Sequence, residues 1–205
     1  MSSEQTGVLE CAGLPIPYRE AGEGQPVLIF PTGAGALFDE MATALATRYR
    51  VLVLDVPTTS ATTHDVAENL SRALARIGVE SFSVIGVSRG ATTALAQAVY
   101  TPEKVRRVIL VSPARLLAQD PELGARLNDI KAPTLVLVGT RDRSGSREVG
   151  RLFREKIPTC HLLLVYEAGH AIIADRQEAC LAPIGEFLEQ GEGFIVFHDS
   201  QMIRP

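Results

Sequence analysis

The chain has 205 residues, 46% hydrophobic and 21% charged, with a formal net charge of −4. That length suits one domain with a full core, and acids and bases are interspersed without a basic stripe, which argues against a nucleic-acid partner. The longest apolar runs, V-L-I-F at 27–30 and L-L-L-V at 162–165, are strand-length, far below the roughly 18–20 residues that span a bilayer, so no membrane partner is expected.

In chain order, V-L-E-C (8–11) and I-P-Y-R-E (16–20) around G-L-P predict an N-terminal hairpin. A strand at 27–30, a helix near 37–47 and a strand at 50–56 follow. The next helix runs over about 64–77, started by Thr63 or His64 and ended by Gly78. Then come a strand at 81–87, a helix at 89–100 and a strand at 105–112. A strand at 133–139, a helix at 146–156, a strand at 161–166 and a helix at 175–190 complete the series. The inner strands are apolar at nearly every position, as a parallel sheet covered on both faces requires. Strands alternating with helices of this length predict a doubly wound, mostly parallel α/β sheet in a single domain, 1–205, with the antiparallel hairpin at its edge.

Residues 86–90 read G-V-S-R-G. Composition alone produces a G-x-S-x-G in roughly one chain of this size in ten, so the flanks decide its meaning. Ser88 falls where a strand stops and a helix starts, the context of a nucleophile elbow. Gly86 and Gly90 are small because side chains there would meet the neighbouring strand or helix, and Ser88 is pushed into a strained backbone. The helix dipole and the backbone N–H of Arg89 aim at the point where an acyl oxyanion would form.

A serine nucleophile needs a base, and the base an orienting carboxylate. Of four histidines, His161 opens a strand, His64 precedes a helix and His198 lies in the tail. His170 leaves the strand at 161–166 on the same sheet edge as Ser88. Asp142 leaves the strand at 133–139 there too, and open α/β sheets bind ligands at that edge. The order Ser88, Asp142, His170 is the one this architecture uses.

With these pieces, plus Y-R-E-A-G-E-G-Q-P-V-L-I-F, A-P-T-L-V-L-V-G-T-R-D-R and E-A-G-H, the chain resembles α/β-hydrolase-fold proteins over nearly its whole length. The resemblance implies Ser88 as nucleophile, His170 as base and Asp142 as orienter. Where the family usually has His-Gly, this chain reads F-P-T-G-A-G. The second oxyanion N–H would come from Gly33, or from Thr32 after a one-residue shift, since Pro31 has no N–H. That loop lacks the lysine of a P-loop and the spacing of a dinucleotide fingerprint, so no cofactor is expected. Residues 113–132 leave room for one or two short helices as a reduced cap, an amphipathic piece over the cleft. Arg89 is expected to pair with a buried acid rather than contact a substrate carboxylate. The C-terminal extension, 193–205, carries F-I-V-F, expected to add a strand at 193–198 and to support a homodimer.

The implied function is a serine hydrolase acting on an ester, thioester or related acyl bond of a small-molecule substrate. The alternatives are a C–C bond hydrolase or perhydrolase with the same residues, or a non-catalytic ligand-binding or scaffold protein. The first seven residues lack a secretory pattern, and three cysteines without C-x-x-C spacing read as reduced thiols, so a cytoplasmic location is expected and no zinc site.

Overall fold

The computed structural model describes residues 4–11, 13–31, 36–57, 61–113, 120–191 and 193. Its strands are β1 (Gln5–Cys11), β2 (Leu14–Ala21), β3 (Pro26–Phe30), β4 (Arg50–Leu54), β5 (Phe82–Val87), β6 (Val105–Val111), β7 (Thr134–Gly139) and β8 (Cys160–Val165). They form one sheet in the order β1-β2-β4-β3-β5-β6-β7-β8. The β1–β2 hairpin is antiparallel and joins β4 antiparallel, and the remaining pairs are parallel.

Alternation along the strands divides the core. In β3, Leu28 and Phe30 face a cluster shared with α2 (Thr63–Arg76), α3 (Gly90–Tyr100) and α5 (Ser146–Lys156), including Leu70, Leu95 and Phe153. Val27 and Ile29 face the other side, against Met41 of α1 (Ala36–Ala46) and Ile184 and Phe187 of α7 (Gln177–Gln190). Two-sided burial explains the unbroken apolar runs, since successive residues point to opposite faces and both faces are covered. Each fully buried Leu, Ile or Phe contributes about 1.5–3 kcal/mol of transfer free energy.

Three local expectations gain detail. The cap of α2 is Thr62, whose Oγ1 accepts the Asp65 N–H at 3.1 Å, so Thr63 and His64 already lie within the helix. The final helix, expected over 175–190, is α7 at Gln177–Gln190, and a short additional helix, α6 (Ile172–Asp175), precedes it, with Arg176 at φ −149 between them. Burial of Ile172 and Ile173 fixes that extra turn. Within 113–132, α4 (Pro121–Ala125) and a 3-10 turn (Leu127–Asp129) bury Leu123, Leu127 and Ile130 in the α2–α3–α5 cluster. The described part of this segment is thus built into the helical layer, and only Asp120 and Glu122 reach the cleft described below. Of the expected added strand at 193–198, only Gly193 lies within the described residues.

Cys11 and Cys180 are buried and Cys160 is half-buried in β8, all three as free thiols. Burial pushes the Cys160 thiol up to about 12 and that of Cys180 to about 11, and raises Cys11 as well. Among the described residues no helix is long and apolar enough to cross a membrane.

Candidate active site

β5 delivers Ser88 to the carboxyl edge of the sheet. Its backbone has φ 49, a left-handed conformation that costs a non-glycine residue on the order of 1–3 kcal/mol. The surroundings hold it there: the Ser88 N–H donates to the Val111 carbonyl at 2.9 Å, and α3 begins two residues later. A Cβ on Gly86 would come within 2.6 Å of Ala91 Cα, and one on Gly90 would run into the Phe30 carbonyl. Both glycines therefore sit where the chain passes too close for a side chain.

His170 lies 82 residues further on, its Nε2 3.0 Å from Ser88 Oγ. Its loop is stitched to the one that carries Asp142. The Arg141 N–H donates to the Ala168 carbonyl at 2.9 Å, the Glu167 N–H to Thr140 Oγ1 at 2.9 Å, and Arg141 pairs with Glu167 at 2.8 Å. Gly139 permits the approach, since a Cβ there would collide with the Ala168 carbonyl. The Gly169 N–H donates to Asp175 Oδ2 at 2.7 Å and fixes the far side of the loop.

Asp142 Oδ2 is 2.9 Å from His170 Nδ1, and the carboxylate is wholly buried while the imidazole is 41% exposed. Burial pushes this carboxyl up. Hydrogen bonds from the Ser146 hydroxyl, the Ser144 hydroxyl and N–H, and His170 outweigh it and bring the group down to about 2. The carboxylate is thus ionised, so Nδ1 carries the imidazole proton and Nε2 presents a lone pair to the Ser88 hydroxyl. A hydroxyl, an imidazole and a buried carboxylate in this order can deprotonate the hydroxyl for attack on an acyl carbon.

The three residues singled out in the sequence therefore come together. Arg89 opens α3 at φ −65, ψ −31, which places its N–H in the first turn beside Ser88. Its side chain is exposed, and it lines a cleft of about 590 Å³ with Pro31, Asp55, His64 and Tyr100. Thr32 and Gly33, the candidates for the second oxyanion N–H, lie outside the described residues, as does His198. His64 stands in the first turn of α2, 3.3 Å from Glu68, and His161 lies in β8.

Sequence reasoning missed Ser144 and Ser146. The Ser144 N–H donates to Asp142 Oδ1 at 2.7 Å, its hydroxyl lies 3.1 Å from His170 Nδ1, and the Ser146 hydroxyl donates to Asp142 Oδ2. The signal was D-R-S-G-S: an aspartate with a serine two residues on favours a turn closed on the carboxylate, and the glycine permits the left-handed Gly145, at φ 91, that brings Ser146 back.

A doubly wound sheet with a strained serine elbow and an acid and a histidine on later strand ends defines the α/β-hydrolase class of fold. Two family models match in succession, one for the alpha/beta hydrolase fold over residues 25–126 and one described as TAP-like protein over residues 114–193. The chain belongs to the α/β-hydrolase superfamily. Among solved structures it is similar to a bacterial membrane phospholipase A, with TM-score 0.77 and 21% identity over 91% of this chain and 86% of the other. A protein of Thermoplasma acidophilum described as a predicted CIB-like hydrolase gives TM-score 0.77 and 18% identity, over 92% and 99%. The carboxylesterase CesB of Bacillus subtilis gives TM-score 0.77 and 15% identity, over 91% and 92%. At these identities the likeness is one of fold.

Proposed function

We propose that this protein is a serine hydrolase that cleaves an ester, thioester or related acyl bond. The reading is carried by one observation: Ser88 Oγ, His170 and Asp142 are linked by contacts of 3.0 and 2.9 Å on a strained elbow at the carboxyl edge of the sheet. His170 Nε2 takes the Ser88 proton as Oγ attacks the acyl carbon and passes it to the leaving group. Water, activated by the same nitrogen, then clears the acyl-enzyme. Asp142 keeps the tautomer and steadies the imidazolium. The Arg89 N–H, at the positive end of α3, supports the oxyanion.

The cleft beside Arg89 receives the remainder of the substrate. Its volume, about 590 Å³, suits a small or medium-sized group. Phe30, Leu54 and Val66 give it an apolar base, and Thr62, Thr92 and Thr93 add hydroxyls. Asp55, Asp120 and Glu122 outnumber Arg89, so neutral or cationic groups fit better than anionic ones. The free thiols suit a reducing compartment, and we place the protein in the cytoplasm.

A fluorophosphonate probe tests the reading. Covalent labelling that disappears in Ser88→Ala supports it, and turnover of a panel of p-nitrophenyl esters and acyl thioesters then ranks the acyl groups. A folded wild-type protein that takes no label and turns over no ester overturns it in favour of a scaffold role.

A further inference from the structure

We infer that Ser144 and Ser146 are positioning residues that hold down the basicity of His170 by occupying the carboxylate oxygens that would otherwise act on its imidazolium. The inference rests on His170 as the base proposed above. Asp142 Oδ2, the oxygen that faces the imidazole, is shared: it accepts from His170 Nδ1 at 2.9 Å and from the Ser146 hydroxyl. Oδ1 accepts the Ser144 N–H at 2.7 Å. The Ser144 hydroxyl, 3.1 Å from Nδ1, further divides the Nδ1–H bond. The carboxylate has no exposed surface, and these protein groups converge on it.

A carboxylate whose lone pairs are filled by several donors spreads its charge over all of them. Each donor that stays in place when the imidazole is neutral weakens the extra attraction gained when the imidazole takes its second proton. The carboxylate thereby pulls less strongly on the imidazolium than a bare one would. The loop spends residues on this. Gly145, the residue before α5, has no side chain to cap the helix, and Ser146, a residue type favoured for capping, gives its hydroxyl to Asp142 instead. The charged groups on the surrounding elements are Arg89 at the start of α3, the Arg141–Glu167 pair, Arg143 and Arg147 on the acid loop and α5, and Asp175 of α6. None of these is altered by changing the two serines.

The test follows two readouts against pH in wild type, Ser144→Ala, Ser146→Ala and Ser146→Thr: the rate of fluorophosphonate labelling, and the imidazole Cε1–H shift of His170 by NMR. Ser146→Ala is expected to move both midpoints up by about 0.5–1 pH unit, Ser144→Ala by less, and Ser146→Thr, which keeps a hydroxyl, to restore them. A uniform drop in rate with both midpoints unmoved means the serines only shape the loop, and overturns the inference. Ser146 is fully buried, so if Ser146→Ala melts out, Ser144→Ala at the exposed position decides by the same criterion. A wild-type protein that takes no label at any pH overturns the hydrolase reading, and the imidazole midpoints then judge the role of the serines by themselves.

Discussion

Between β5 and α3 the chain turns within two residues, Ser88 and Arg89. Between β7 and α5 it takes six, 140–145. The short turn is fixed by what is absent: with no Cβ at Gly86 or Gly90, α3 and the end of β3 close in and leave Ser88 one conformation. The long turn is fixed by what is present, the hydrogen bonds that converge on Asp142. A sterically fixed turn tolerates almost no change, because backbone cannot move aside. A turn fixed by hydrogen bonds weakens by degrees, because each bond contributes only about 0.5–1.5 kcal/mol, or about 1.5–3 kcal/mol when one group is charged.

The largest test removes the hydroxyl from the short turn or the imidazole that the long turn holds through Asp142. Ser88→Ala and His170→Ala should each lower kcat/KM on a p-nitrophenyl ester by several powers of ten, and the double variant should cost little more than either single one. Simple multiplication of the two losses would show that the residues do not act as a unit. Asp142→Asn should be milder, on the order of 10²–10⁴-fold, because the amide can favour the wrong tautomer without emptying the site. Activity within tenfold of wild type would sink the assignment of Asp142 as orienter.

Next comes geometry. Gly90→Ala should destabilise by about 3 kcal/mol or more, roughly 6–12 °C in melting temperature, since its methyl group meets the Phe30 carbonyl. An unchanged melting temperature would mean that the elbow is looser than its contacts indicate. The smallest effect is titration of the acid loop. Asp142 sits at about 2 when folded, below its unfolded value, so as pH falls the unfolded chain takes up this proton first. The stabilisation is fully present above about pH 4 and is lost as pH falls towards 2, an effect of about 2 kcal/mol. Urea unfolding across that range should show a smaller acid loss in Asp142→Asn than in wild type, and equal losses would remove Asp142 as the cause.

The same contrast explains what could be read from the sequence. β3, β5 and β7 are legible because both faces are buried and every position is apolar. Ser88 is legible because steric demands write themselves as glycines at fixed spacing. Asp142 and His170 follow from strand ends and chain order. Ser144 and Ser146 were harder to read: D-R-S-G-S marks a turn closed on Asp142, but it is the left-handed Gly145 that brings Ser146 back, and no periodicity encodes that. The start of α2 was ambiguous because Thr62 and Thr63 can both cap, and only the N–H each faces decides. The short α6 was hidden because one turn of helix has no periodicity to show, and it is the burial of Ile172 and Ile173 that holds it. Arg89 is exposed and lines a cleft, a placement that no spacing in the sequence encodes.

The three free thiols give the molecule three internal clocks. Alkylating reagents react with thiolate, and a group at about 11 or 12 offers only about one thiolate in 10³–10⁴ at pH 8, whereas an unfolded cysteine offers a sizeable fraction. Modification of the native protein therefore runs mainly through opening events. Cys11 sits in the hairpin at one edge of the sheet, Cys160 at the opposite edge and Cys180 in α7 against the face that carries Met41 and Phe187. Their separate rates would time the loosening of three regions, with no label or substitution added.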